Sequence, residues 1–187
     1  MKTNLVIILL ASSLLNSCFL YQELPVEYDY SYQGRFHKYK SFDFMSVNYN
    51  EGTANSGLIE SSIISHMKLL GYKFKNKKPD LMVSYRVFGD SLKLRGYNQP
   101  EIEEWAKHSK RNLEYSPKNL KLNNGTLYLQ IYDRKKEAPI WQGYATQEYG
   151  AIDFNNERNV RNAVRSILDK YQFFADGFLT ESLEMSN

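Results

Sequence analysis

The feature that most constrains the fold is a two-residue alternation in the second half of the chain. In residues 126–133 and 140–147, apolar side chains alternate with polar or tyrosine side chains. Successive side chains of a strand point to opposite faces, so each segment places one apolar row against a core. Leu129 and Trp141 fall in these apolar rows, and the mainly charged residues 134–139 fit a hairpin loop. The sequence therefore predicts an antiparallel hairpin with one buried face.

Other segments predict the rest of the domain. Strands are predicted over residues 26–32, 39–47, 71–78 and 80–88, and helices over residues 58–70 and 156–171. In the first helix, Ile59, Ile63 and Met67 recur at helical spacing, and Gly71 follows as a stop signal. Residues from 172 onward could extend the second helix. The order ββαββββα predicts an α+β two-layer sandwich, a mostly antiparallel sheet with both helices on one face.

A long insert at about residues 89–124 separates two of the predicted strands. Pro100, followed by acidic residues, resembles the first turn of a helix that would carry Trp105. Insertions of this length are often functional. We therefore predict a single domain over residues 26–187 that contains this insert.

The N-terminal residues predict export and lipid attachment. A basic start precedes an apolar run at residues 5–15, which is shorter than the ~20 residues that span a membrane. Cys18 is the only cysteine, and the preceding Leu15-Asn16-Ser17 resembles a lipobox. We expect residues 1–17 to be a signal peptide and residues 18–25 to be a tether lipidated at Cys18.

The residues after the cysteine predict where the protein resides. Phe19 stands where an aspartate would favour retention in the inner membrane, and no acidic run follows Cys18. We therefore expect an outer-membrane lipoprotein on the periplasmic side of the cell envelope. Its membrane contact would be the lipid anchor.

The sequence contains no catalytic or metal-binding signature. The histidines His37, His66 and His108 lack the spacing of metal ligands, and no G-x-S-x-G, H-E-x-x-H or phosphate-binding loop is present. A net charge of +3 is too small to indicate nucleic-acid binding. We therefore predict a non-enzymatic protein without a cofactor or metal.

One set of side chains forms a candidate binding face. In a two-layer fold, the sheet face without helices would carry the polar phase of the strands. That face includes Arg86, Tyr128, Gln130, Tyr132, Gln142 and Tyr144, with Ser84 beside them. Tyrosine, arginine and amide side chains suit recognition of proteins or sugars. The alternative is that tyrosine occurs here only because it favours strands.

Several segments, taken in order, resemble a known family. They are Tyr28-Asp29-Tyr30 with residues 36–44, residues 77–85 around Pro79-Asp80-Leu81, Gly125-Thr126-Leu127 with Asp133, and Trp141-Gln142-Gly143. Over about Val26 to Tyr171 the chain resembles the bacterial lipoproteins of domain-of-unknown-function family 4136. The resemblance implies a secreted, usually lipid-anchored α+β domain, and it brings no catalytic residues. The insert around Trp105 lies outside it.

These observations lead to a main hypothesis and two alternatives. The main hypothesis is a lipid-anchored envelope protein that binds a partner, either an envelope protein or a cell-wall glycan. The first alternative is a periplasmic binder of a small ligand or lipid, with the insert as a lid. The second is a hydrolase, which would require clustered acids or a buried His–Asp pair.

Overall fold

The hairpin predicted from the alternation lies within a six-stranded sheet. The computed structural model describes residues 24–45, 55–97 and 117–179. Its strands are β1 (Val26–Tyr30), β2 (Ser41–Phe44), β3 (Lys73–Phe74), β4 (Leu81–Phe88), β5 (Leu92–Tyr97), β6 (Pro117–Leu122), β7 (Thr126–Asp133) and β8 (Ala138–Ala145). The helices are α1 (Ser56–Leu69) and α2 (Glu157–Leu168). The predicted α+β class is therefore confirmed.

The sheet is mostly antiparallel, as predicted. Its strand order is β1-β8-β7-β4-β2-β3. The contacts β1–β8, β8–β7 and β7–β4 are antiparallel, whereas β2 runs parallel to both β4 and β3. The β7–β8 hairpin thus occupies two inner positions, where both of its edges are hydrogen bonded.

Both helices pack on one face of this sheet, which we call the helix face. Leu129 and Trp141 lie on it and are 0% and 1% exposed, as the alternation predicted. They join one hydrophobic core with Ile63 of α1 and Ile167 of α2. Burial of a large apolar side chain stabilises a fold by roughly 1.5–3 kcal/mol. This face therefore supplies most of the packing energy of the domain.

Helix α2 approaches the sheet most closely at Gly143. A Cβ atom at this position would lie 2.6 Å from Cη2 of Trp141 and 2.8 Å from Cγ2 of Ile167. These distances are shorter than the separation between packed carbon atoms. Only glycine therefore fits between the Trp141 indole and α2.

The start of each helix involves an asparagine, but only one of the two caps through its side chain. Asn156 accepts hydrogen bonds from the backbone N–H groups of Arg158 and Asn159 at the start of α2. Asn55 precedes α1 with a left-handed φ of 57° and makes no side-chain cap. Its Nδ2 instead donates to the Phe154 carbonyl at 2.7 Å, which ties the start of α1 to the loop before α2.

The C-terminal residues, which the sequence left open as a possible extension of α2, do not continue the helix. The helix ends at Leu168, and residues 171–179 pass back across the ends of α1 and β2. The Ala175 N–H donates to the Leu70 carbonyl at 2.9 Å, and Phe173 stacks on Phe36 with ring centroids 3.7 Å apart. Burial of aromatic rings against this end of the core competes with helix propagation and prevails.

The insert begins and ends as strands that the sequence patterns did not predict. Strands β5 and β6 pair antiparallel as a separate two-stranded ribbon, which we call the ribbon. The helix predicted around Trp105 lies outside the described residues, as do the signal peptide, Cys18 and residues 180–187. No helix among the described residues has the length and hydropathy needed to cross a membrane.

Candidate binding face

The structure places all six predicted face residues on the side of the sheet opposite the helices, which we call the tyrosine face. The strand register arranges five of them in two rows across β1, β8, β7 and β4, and Tyr132 lies in the next row, opposite Met82 of β4. One row reads Glu27, Tyr144, Tyr128 and Arg86, and the next reads Asp29, Gln142, Gln130 and Ser84. Cross-strand neighbours in such rows interact directly. The row arrangement follows from register, which the sequence alone did not provide.

Hydrogen bonds between side chains fix the second row and its neighbours. The Tyr128 hydroxyl donates to Oε1 of Gln142 at 2.8 Å, and the Tyr132 hydroxyl donates to Oε1 of Gln130. Weaker contacts of 3.5 Å join Gln130 Nε2 to Gln142 Oε1 and Gln142 Nε2 to Oδ2 of Asp29. The network holds the two amides and two phenols in one arrangement before any partner arrives, which lowers the entropy cost of binding.

Aromatic contacts stiffen the first row. The rings of Tyr128 and Tyr144 stack with centroids 5.8 Å apart and an interplanar angle of 23°. Phe88 packs against Tyr128 at 6.2 Å, and the Arg86 guanidinium lies 4.9 Å from the centre of the Phe88 ring. Phe88 was missing from the predicted face, although it stands two residues after Arg86 and so shares its phase.

A shallow groove of about 280 Å³ crosses the β4 side of this face. Its lining combines apolar, aromatic and hydrogen-bonding side chains. The lining residues include Met45, Ser84, Arg86, Phe88, Tyr128, Gln130 and Tyr132. The groove thus contains four of the six predicted residues, while Gln142 and Tyr144 lie beside it on β8.

The six residues differ in how much surface they present. Arg86 is exposed, and Tyr128, Gln130, Tyr132 and Gln142 are half-buried. Tyr144 is only 7% exposed, and its ring packs against that of Tyr128 on the neighbouring strand. Tyr144 therefore offers little contact surface of its own.

Burial also fixes the protonation state of the phenols. Burial raises the pKa of Tyr144 to about 12, and the nearby Asp29 and Glu27 carboxylates add to the effect. Burial likewise raises the pKa of Tyr128, with smaller contributions from Tyr132, Tyr144 and Asp29. These hydroxyls therefore remain neutral hydrogen-bonding groups at physiological pH.

Charge on the tyrosine face is graded from one side to the other. Glu27 and Asp29 belong to the edge strand β1, whereas Arg86 belongs to β4, three strands away. Three strand spacings amount to about 14 Å. A partner lying across the strands would therefore meet carboxylates at one end and a guanidinium at the other.

Of the three histidines, the structure describes His37 and His66. His66 Nε2 lies 3.7 Å from Oδ1 of Asp169, but Asp169 also faces Arg165 at 3.6 Å, and its side chain is 48% exposed. The contact between His66 and Asp169 joins α1 to the end of α2 and lies on the helix side of the molecule. His37 is exposed, and His108 lies outside the described residues. Within the described ranges, no three histidine, cysteine or acidic side chains converge as metal ligands would.

Burial, which lowers the pKa of His66, outweighs the opposing effect of Asp169. The imidazole therefore stays neutral near pH 7. His66 and Asp169 lie on the far side of the sheet from the groove. Packing between α1 and the end of α2 explains why the neutral imidazole lies beside the half-exposed carboxylate.

Comparison with known proteins assigns the chain to a family whose role is undefined. The family model for a domain of unknown function, DUF4136, matches residues 26–171. The chain therefore belongs to this family, as the sequence resemblance predicted. No curated protein matches the chain.

Solved structures share the fold at low sequence identity. A PDZ domain protein from Parabacteroides distasonis aligns with 80% of this chain at 18% identity and a TM-score of 0.53. The alignment covers 35% of that protein, so the present chain spans about a third of its length. This likeness shows a common fold.

Two further structures are more distant. A DUF4136 family protein from Bacteroides thetaiotaomicron is 15% identical, with 78% of this chain and 94% of that one aligned and a TM-score of 0.44. The PelC dodecamer from Paraburkholderia phytofirmans is 11% identical, with 80% and 97% aligned and a TM-score of 0.43.

Proposed function

We propose that this protein is a lipid-anchored, non-enzymatic component of the bacterial cell envelope that binds another protein through its tyrosine face. The observation that carries the proposal is the ordered network on that face. Side chains that favour binding are held there by hydrogen bonds and stacking on the side of the sheet opposite α1 and α2. The anchor is proposed at Cys18, on the periplasmic side of the outer membrane.

The composition of the groove favours a protein partner over a glycan. Tyrosine, phenylalanine, methionine and arginine are the side chains enriched in protein interfaces, and the groove contains Met45, Arg86, Phe88 and two tyrosines. The charge gradient from Glu27 and Asp29 to Arg86 would orient an extended segment that carries opposite charges at its two ends.

The size and shape of the groove can be compared with those of sites that bind small ligands, the alternative function. Small-molecule sites usually enclose about 300–1,000 Å³. The groove measures about 280 Å³ and is open on one side. Its volume lies close to the lower limit of that range, so the opening to solvent, rather than the volume, is what favours a few side chains of a partner over an enclosed metabolite or acyl chain.

The anchor is tested by replacing its cysteine. Cys18→Ala removes the only thiol, so the protein should lose incorporation of a fatty-acid probe and move from the membrane to the soluble fraction. Ser17→Ala, which keeps a small residue before the cysteine, serves as the control and should still be labelled. If the wild-type protein takes up no lipid, the anchor is absent.

The face is tested by crosslinking in the native envelope. A photo-crosslinker at Gln130 should capture a protein of defined mass, and Arg86→Ala with Tyr132→Ala should reduce capture at least tenfold. Such contacts often contribute about 2 kcal/mol each, which supports this expectation. The matched control is Arg161→Ala with Tyr149→Ala, because both of these side chains are exposed elsewhere.

The result separates the possible partners. A captured species that resists protease and is digested by a muramidase would be a cell-wall glycan, and the choice of a protein partner would be wrong. Equal capture by the face variant and the control variant would show that the tyrosine face does not bind.

A further inference from the structure

The N-terminal tether joins the sheet at the end from which the ribbon extends. Strand β1 begins at Val26, which pairs with Ala145; Ala145 pairs with Leu127, and Leu127 pairs with Val87. In this row, Val87 is one residue before the end of β4, and Leu127 is one residue after the start of β7. The ribbon continues from these same strand ends. The tether and the ribbon therefore meet the sheet at one end.

Hydrogen bonds join the two directly through Thr146. The Thr146 N–H donates to the Pro25 carbonyl at 3.2 Å. The Asn123 N–H, at the base of the ribbon, donates to Oγ1 of Thr146 at 3.2 Å, and Oγ1 of Thr126 lies 3.1 Å from the same atom. Asn123 Nδ2 also donates to the Gln147 carbonyl at 2.7 Å. The base of the ribbon is thus held against the last residues of the tether.

The ribbon differs in charge from the rest of the chain. Its two strands read LKLRGY and PKNLKL, with four basic residues and no acidic one. The register sets Lys93 opposite Lys121 and Arg95 opposite Asn119, with Lys118 opposite Gly96. By contrast, the whole chain has 24 basic and 21 acidic residues. The net charge of +3 therefore conceals a local concentration of positive charge.

The length of the tether limits how far this charge can lie from the membrane. Eight residue-to-residue steps lead from Cys18 to Val26, and a fully extended chain of this length spans at most about 29 Å. If Cys18 carries lipid, the sheet end that bears the ribbon is held near the bilayer. The opposite sheet end lies farther away by the length of β7, about 25 Å for its eight residues.

From these observations we infer that the ribbon contacts the anionic phospholipid surface of the membrane and orients the domain on it. This inference rests on the proposed anchor at Cys18. The lipid at Cys18 would hold the chain at the membrane, and contact between the basic ribbon and the anionic surface would restrict how the domain is oriented there. Each basic residue near an anionic bilayer increases the partitioning of the protein onto it about fivefold. The orientation would leave the other end of the sheet directed away from the membrane.

The chain contains its own matched control. Lys73, Lys75, Lys77 and Lys78 form a second group of four basic residues. Lys73 lies in β3, and its neighbour Phe74 pairs with Phe42 of β2. Phe42 pairs with Leu81 of β4, which pairs with Asp133 at the end of β7. That row is at the opposite end of β7 from the ribbon. Removing these four charges changes the net charge equally but should leave the membrane contact intact.

The experiment uses the chain from residue 18 onward with Cys18→Ser, which contains every described residue and cannot be lipidated. Its partitioning is measured on vesicles of phosphatidylglycerol with phosphatidylethanolamine and on vesicles of phosphatidylcholine. The ribbon variant combines Lys93→Gln, Arg95→Gln, Lys118→Gln and Lys121→Gln. The control variant carries Lys→Gln changes at positions 73, 75, 77 and 78. Unchanged melting temperatures verify folding, and Lys93→Gln with Lys121→Gln replaces the ribbon variant if it melts early.

We expect the parent chain to prefer the anionic vesicles, and we expect this preference to weaken in high salt because the charges are screened. The ribbon variant should partition at least tenfold less than the parent, and the control variant should lose less than twofold. Equal losses in both variants, or equal binding of the parent to both vesicle types, would overturn the inference. Lipid labelling of the wild-type chain is measured separately, so a missing anchor is distinguished from a ribbon that does not bind.

Discussion

The two faces of the sheet are built from the same strands but differ in what holds their side chains in place. On the helix face, Leu129 and Trp141 are at most 1% exposed and pack against α1 and α2. On the tyrosine face, Tyr128, Gln130 and Gln142 occupy neighbouring strand positions and are ordered by hydrogen bonds. The difference separates two roles. Apolar packing stabilises the domain, whereas the polar network arranges groups that remain accessible.

The largest expected contrast is between neighbouring residues of β7. Leu129→Ala removes a fully buried side chain and should lower the free energy of unfolding by about 2–5 kcal/mol. Gln130→Ala, one residue later on the opposite face, should cost less than about 1 kcal/mol. Urea denaturation of both variants measures the two free energies. Similar losses would mean that the two faces contribute alike, and the contrast would be wrong.

A smaller effect concerns Asp133, a buried carboxylate on the helix face. Asp133 is 4% exposed and accepts a hydrogen bond from the Tyr39 hydroxyl at 2.8 Å, as well as from the backbone N–H groups of Lys135 and Lys136. Burial alone would raise the pKa of Asp133, but these hydrogen bonds outweigh it and lower the pKa below its usual value. Asp133→Ala should therefore cost about 1–3 kcal/mol at pH 7.

This loss should depend on pH. A lowered carboxyl pKa contributes stability that is present above the unfolded value of about 3.9 and disappears as the pH falls through the folded value. The difference between wild type and Asp133→Ala should thus shrink from pH 7 to pH 3. Asp43→Ala, which removes a half-buried carboxylate of β2 in the same register row as Tyr132, is the control. Its effect should stay within about 0.5 kcal/mol.

The smallest predicted effect tests whether the Tyr144 hydroxyl on the tyrosine face is shielded from water. Burial raises the pKa of Tyr144 to about 12, above the unfolded value of about 10. The stability from its neutral hydroxyl is complete below pH 10 and is lost as the pH rises toward 12. When the pH is raised from 7 to 11, the free energy of unfolding of Tyr144→Phe should therefore fall by about 1 kcal/mol less than that of wild type. Tyr149→Phe removes the hydroxyl of a side chain that is 84% exposed and should behave as wild type.

Sequence reasoning succeeded where a local pattern and the core demanded the same arrangement. The phase of Leu129 and Trp141 followed from alternation, since a shift of one residue would expose the apolar row. It failed where distant contacts decided the outcome. The residues after Leu168 contain three phenylalanines and could continue a helix, but Phe173 gains more by stacking on Phe36. The strands of the ribbon were missed because a two-stranded pair depends on its partner rather than on either segment alone.

The sequence by itself determined the family, the α+β class and the face to which each residue of β4, β7 and β8 belongs. These properties depend on the two-residue period of a strand and on motif order, which are local. Only the tertiary structure decided that Glu27, Tyr144, Tyr128 and Arg86 form one row, because register depends on pairing between strands far apart in the chain. It also decided that Tyr144 is buried against Tyr128 and that the base of the ribbon lies beside the tether. Burial and proximity are properties of packing, and no single segment encodes them.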